Sequence, residues 1–189
     1  MALTVERYGG DGTTVPYGEI FDDIRNNSGF VDTRGRPDVA ANIPEGAASP
    51  ALKGLLVRIA SEGKYFSLGC DLGGHEEPES PSTKRFVAGG YVQLTCFHYQ
   101  LATTYQHDAF ASAIEKNMRK RSRGRHWRMW LEGRWVNFKL KPKIKAPTTW
   151  VWFFALERTD QRAREGRETV INELSDALHD DEVMGSFGN

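Results

Sequence analysis

Arg128–Leu140 reads RMWLEGRWVNFKL. Strand-forming residues on either side of Glu132-Gly133 predict a β-hairpin with a two-residue turn at that pair. Such a turn sets Leu131 opposite Arg134, Trp130 opposite Trp135 and Met129 opposite Val136. Alternation then places Trp127, Met129, Leu131, Val136, Phe138 and Leu140 on one face. Arg128, Trp130, Trp135, Asn137, Lys139 and Lys141 fall on the other. A hairpin packed on a core should be apolar on one face only, so an outer face with two tryptophans needs an occupant.

The same pattern occurs upstream. Residues 56–70, LVRIASEGKYFSLGC, align without gaps to 126–140, HWRMWLEGRWVNFKL, with Arg58/Arg128, Glu62/Glu132 and Gly63/Gly133 identical. This alignment puts Arg58 and Tyr65 at the outer positions held by Arg128 and Trp135. A strand follows each hairpin, GYVQLTCFHYQ and TTWVWFFALE. In the first, Val92, Leu94 and Cys96 alternate with Tyr91, Gln93, Thr95, Phe97 and Tyr99. In the second, Val151, Phe153 and Ala155 alternate with Trp150, Trp152 and Phe154. A helix follows each strand. HDAFASAIEKNMRK carries Phe110, Ala113, Ile114 and Met118, with Asp108 as N-cap. RETVINELSDALHDD carries Val170, Ile171, Leu174 and Leu178. The expected fold is α+β: two β-hairpin–strand–helix repeats, antiparallel sheets each backed by a helix, over about 51–122 and 123–184 of a single domain at 51–189. Residues 1–50 are rich in Gly and Pro and read as a loop-rich N-terminal arm wrapped over the domain or partly mobile, with one short helix in YGEIFDDIR. GGHEEPESPSTKR reads as a polar loop.

Charge narrows the functional classes. The 189 residues carry 25 Lys and Arg against 25 Asp and Glu. From Lys116 to Lys145 there are twelve cations and one acid, Glu132, and the remaining chain is correspondingly acidic. All five tryptophans lie between Trp127 and Trp152, within or beside that basic run. Stacked aromatics beside cations suit a nucleic-acid platform, in which rings stack on bases and cations neutralise phosphates. The candidate binding residues are Arg58, Tyr65, Arg119, Lys120, Arg121, Arg123, Arg125, Arg128, Trp130, Trp135, Lys139, Lys141, Lys143 and Lys145. A second reading has the outer aromatics packed as ordinary core, against each other or under the N-terminal arm.

In topology alone, two sheet-then-helix repeats are similar to the whirly and Pur-type single-stranded nucleic-acid-binding folds. Those repeats have four strands where three are counted here, and no family motif matches residue by residue. The resemblance implies a single-stranded ligand.

Other chemistry has thinner support. Cys70, His75, Cys96 and His98 lack a paired zinc-ligand spacing. Glu76, Glu77 and Glu79 beside His75, or Asp22 and Asp23, would need to converge in space to hold a catalytic metal. No phosphate loop, nucleophile elbow or HExxH motif is present. No catalytic residue, metal or cofactor is therefore expected. Two cysteines make no disulfide framework, and MALTVERYGG is not patterned as a secretory signal. No apolar run approaches a membrane span of about 20 residues, so a cytoplasmic protein without membrane partners is expected. The expected function is non-enzymatic binding of single-stranded DNA or RNA. The alternative is a protein-interaction or assembly role, in which the acidic segment around Asp176, Asp180, Asp181 and Glu182 meets the basic segment of a neighbour in a homo-oligomer.

Overall fold

The structure is a computed structural model and describes residues 2–6, 14–21, 26–80, 83–121, 127–139 and 143–186. The chain is α+β, with one curled mixed sheet covered on one face by helices. Four short strands come first: β1 (Ala2–Glu6), β2 (Thr14–Val15), β3 (Ile20–Phe21) and β4 (Asn26–Asn27). Helices α1 (Pro37–Ala40) and α2 (Pro50–Glu62) follow, then strands β5 (Tyr65–Ser80) and β6 (Thr83–Cys96). Helix α3 (Thr104–Arg121), strands β7 (Trp127–Phe138) and β8 (Ile144–Glu157), and helices α4 (Asp160–Leu178) and α5 (Asp181–Gly185) complete the described chain. The sheet order is β1-β7-β8-β6-β5, with β2 also on β7. β1 and β2 run parallel to β7, and the other pairs are antiparallel.

Two expectations about hairpins are corrected. LLVRIA is helical: Ser49 caps α2 by accepting a hydrogen bond from the Leu52 N–H, Pro50 occupies the first turn, and Gly63 ends the helix at φ +69°. Those are start and stop signals, and Leu52, Leu55, Leu56 and Ile59 form the buried stripe. Gly63 is thus a helix stop, where the alignment required a hairpin turn. RMWLEGRWVNF is one uninterrupted strand. β7 pairs with β8 over its whole length, from Trp127 opposite Ala155 to Phe138 opposite Ile144, with no turn at Glu132-Gly133. Over residues 57–62 and 127–132 the residue alignment therefore matches a helix to a strand. The two-repeat arrangement built on it, and the resemblance that depended on that arrangement, lose their basis.

Smaller corrections have local causes. β5 continues through GGHEEPES, because its backbone pairs with β6 as far as Ser80 opposite Thr83. In YGEIFDDIR, Ile20 and Phe21 pair with Asn27 and Asn26, while residues 22–25 lie outside the described residues. α3 begins before Asp108. Thr103 and Gln106 form a reciprocal capping box, with the Gln106 N–H donating to Thr103 Oγ1 and the Thr103 N–H to Gln106 Oε1. The acids after α4 start another helix: Asp180 caps α5 by accepting from the Glu182 N–H, and Asp181 and Glu182 occupy its first turn. Acids there complement the helix dipole.

The alternation along β6 and β8 holds, but Val136 and Phe138, expected on the face of Met129 and Leu131, lie on the opposite face of the continuous β7 and join a second core. Val92, Leu94, Val151, Phe153, Met129 and Leu131 meet Phe110, Ile114, Ile171 and Leu174 in the main core. α4 approaches the sheet closely at Gly166, where a Cβ would come 2.9 Å from that of Ala155. A Gly166→Leu substitution is expected to push α4 away and cost roughly 1–3 kcal/mol. Urea unfolding reads this as a lower midpoint at constant slope. An unchanged midpoint would mean that the helix has room.

Candidate nucleic-acid interface

The face of the sheet away from the helices carries the candidate site, and β6–β8 pairing assembles it. Tyr91 lies opposite Trp152, Gln93 opposite Trp150 and Gly89 opposite Phe154. On the other side of β8, Trp130 lies opposite Trp152 and Glu132 opposite Trp150. Two aromatic rows that are far apart in sequence thereby become one patch. Ring centroids are 4.5 Å apart for Tyr91–Trp150, 4.8 Å for Tyr91–Trp152, 5.3 Å for Trp150–Trp152 and 6.3 Å for Trp130–Trp152. Trp150 is buried at the bottom, while Tyr91, Trp130, Trp152 and Phe154 are half-exposed.

A charged clamp holds the patch. Glu132, 9% exposed, takes Arg134 Nε at 2.6 Å on one oxygen and accepts from Trp152 Nε1 at 3.3 Å on the other. The Arg134 guanidinium sits 4.8 Å from the Trp150 ring centroid, a cation–π contact. The one acid of the basic segment is thus used inside the patch. Arg128, on the same strand face, is exposed. Burial, followed by the nearby Tyr17 and Asp71, pushes the Tyr91 hydroxyl well above its ordinary pKa, so it remains a neutral phenol.

The other end of this face is covered. Val15, Phe66, Leu68, Tyr99, Val136, Phe138 and Ala146 form a second core, with Tyr17 and Phe30 packed against it. Tyr17 donates to the Leu68 carbonyl at 3.0 Å. Arg34, paired with Asp32, lies over the Phe66 and Tyr99 rings. Core under the N-terminal segment describes one end of the face, and a half-exposed aromatic patch describes the other.

Two cavities flank Tyr91. One, of 290 Å³, is lined by Asp71, Gly73, Val87, Gly89, Gly90, Tyr91, Trp152 and Phe154. The other, of 260 Å³, lies between Tyr91 and the N-terminal segment at Tyr17, Gly29 and Val31.

The structure separates several residues that the sequence reading grouped. Trp130 and Trp135 are not a cross-strand pair. On a continuous strand they point to opposite faces, and Trp135 lies opposite Pro147 with Lys145 Nζ 5.7 Å from its ring. Tyr65 is 2% exposed on the helix side, packs against Phe110 with the rings tilted, and donates to the Leu178 carbonyl at 2.8 Å. Arg58 sits on α2, against Glu62 at 3.5 Å and Asp176 at 3.3 Å. Neither belongs to the aromatic face.

The cations fall into two groups. Arg119, Lys120 and Arg121 are exposed at the C-terminal end of α3, where Arg119 meets Glu115 and Arg121 meets Asp176. Lys139, Lys143 and Lys145 are exposed around the connection from β7 to β8. Arg123, Arg125 and Lys141 lie outside the described residues. Tyr91, Glu132, Arg134, Trp150, Trp152 and Phe154 were not singled out from the sequence as site residues. Their signal was the Trp150/Trp152 alternation, which needed β6 and β7 beside it to become a patch.

Among the described residues no three His, Cys, Asp or Glu side chains gather as metal ligands. Burial raises both the Cys70 and Cys96 thiols, which keeps them protonated and poorly nucleophilic. Among the same residues no helix is long and apolar enough to cross a membrane. No family model matches the chain, and no curated protein or solved structure matches it.

Proposed function

We propose that this protein binds single-stranded nucleic acid without catalysing a reaction, laying the strand along β7 and stacking bases on Trp130 and Trp152. The observation that carries this reading is the spacing of charge and rings. The twelve residues of β7 span roughly 36 Å at about 3.3 Å each. One basic group precedes the strand and another follows it, with the half-exposed aromatic patch and Arg128 between them. Cations at both ends suit phosphates of an extended ligand, and the rings suit unpaired bases. A duplex hides its base faces within the stack, so a single strand fits better.

The test is binding of the whole chain to 12-nucleotide single-stranded DNA, the matching RNA and duplex DNA across a salt series. Trp152→Ala is expected to weaken single-strand binding by roughly 1–3 kcal/mol per base lost from the stack. Arg128→Ala is expected to reduce the salt slope by about one. Equal affinity for single strand and duplex, or a Trp152→Ala protein that binds like wild type, would overturn the reading.

An assembly role keeps one observation in its favour. Leu101 and Tyr105 are 72% and 80% exposed on adjacent turns, an apolar pair suited to self-association. Two cations of the basic segment, Lys116 and Arg121, pair with Glu182 and Asp176 of the same chain. Sedimentation of wild type against Leu101→Ser/Tyr105→Ser decides it: a dimer lost in the double variant would favour assembly.

A further inference from the structure

We propose that the cavity beside Tyr91, Trp152 and Phe154 is a slot for one unpaired guanine base, with the Asp71 carboxylate reading its Watson–Crick edge. The inference rests on the single-strand reading above and adds base selectivity to it. The slot exists because glycines replace side chains where β5 and β6 line it. Gly73 has nothing within 4 Å of where its Cβ would stand, so the space above it is open. At Gly89 a Cβ would come 2.4 Å from Phe154 Cδ1, so the absence of a side chain lets that ring lie down over the strand. Rings from β6 and β8 then line the slot. Its 290 Å³ lies just below the range of small-ligand pockets, roughly 300–1,000 Å³, which suits one ring system.

Among the described residues that line this slot, Asp71 is the only charged one. Its Oδ1 accepts the Leu72 N–H at 2.7 Å, which fixes the carboxylate and leaves further lone pairs to accept hydrogen bonds. An ionised carboxylate can only accept. Guanine alone among the common bases offers two adjacent donors, N1–H and the 2-amino group, matched to two carboxylate oxygens. Adenine and cytosine offer one amino group beside an acceptor nitrogen. Thymine and uracil flank one N–H with carbonyls, which a carboxylate repels. Readout of an unstacked base through this edge is the usual route to sequence preference on single strands.

The experiment titrates the full chain with dT12 and with dT12 carrying one internal dG, dA, dC or inosine. GMP is run as a separate arm. The dG oligomer is expected to bind about ten-fold tighter than dT12, and inosine, lacking the 2-amino group, to lose most of that gain. Asp71→Asn should bring the dG oligomer down to the level of dT12. Gly73→Leu, which grows into open space, should do the same by filling the slot. Equal affinity for all five oligomers would overturn the slot and leave the single-strand reading standing, as would a dG preference that survives both variants. Binding of GMP with no oligomer bound would uphold the slot and overturn the strand reading. Binding of no probe would overturn both.

Discussion

Tyr65→Ala is expected to melt roughly 10 °C below the wild type and to bind single-stranded DNA with unchanged affinity. The ring is packed against Phe110, its hydroxyl satisfies the Leu178 carbonyl, and it is 2% exposed. Truncating a buried aromatic of this size costs about 3–5 kcal/mol, and a chain of 150–250 residues shifts by about 2–4 °C per kcal/mol. Tyr65→Phe should recover most of the loss, because it restores the ring and leaves one buried carbonyl without its donor. A Tyr65→Ala protein with wild-type melting and weakened binding would return this residue to the interface and refute its placement under the helices.

The second large effect is acid sensitivity at His107. The imidazole is 1% exposed on α3, its Nδ1 lies 2.8 Å from Thr149 Oγ1, and burial lowers its pKa to about 3. In the unfolded chain the pKa is about 6.5. Between these values the unfolded state binds the proton and the folded state does not, so stability rises with pH. The contribution is complete above pH 6.5, falls as the solution is acidified, and is gone below about 3. The slope approaches about 1.4 kcal/mol per pH unit in the middle of the window. Urea midpoints from pH 7 to 4.5 should fall steeply in wild type and less so in His107→Gln. His179 is also lowered, first by burial, while the Ser175 carbonyl and Glu62 oppose the shift. A His107→Gln protein with the full acid slope would assign the sensitivity to His179 or to carboxylates.

Much of the layer structure was legible because each signal was local. Val92, Leu94 and Cys96, like Val151, Phe153 and Ala155, alternate with period two because one sheet face is sealed by helices. The stripe of α4 repeats with helical period for the same reason. The helix at 50–62 was missed because Val57 and Ile59 favour strands and Gly63 fits a hairpin, although Ser49-Pro50 had already marked a helix start. Glu132-Gly133 misled because a strand containing a glycine and a hairpin turning on it share a composition. What selects the strand is twelve residues of β8, Ile144 to Ala155, pairing along all of β7, a contact that no window around Gly133 contains. The candidate site was half legible. Both aromatic rows could be read, but their adjacency depends on β6 lying next to β8, across an intervening helix and strand. The basic run looked like one patch because sequence distance hides the length of the strand that divides it.

The parallel pairing of β1 and β2 with β7 fixes an order of assembly. Ala2 lies opposite Arg128, and Val15 opposite Phe138, so each of these strands precedes its partner by more than 120 residues. A ribosome adding about 5–20 residues per second takes roughly 6–24 s to make the stretch between them. Throughout that interval the apolar side chain of Val15 has no finished sheet to enter. When β7 emerges, its outer edge is open to any passing strand until its own N-terminal partners return to it, and open edges invite intermolecular pairing. Contacts this distant in sequence also slow folding. The earliest strands of this chain to be synthesised are therefore among the last to be placed, and they cover the β7 edge at Arg128–Glu132 and Asn137–Phe138.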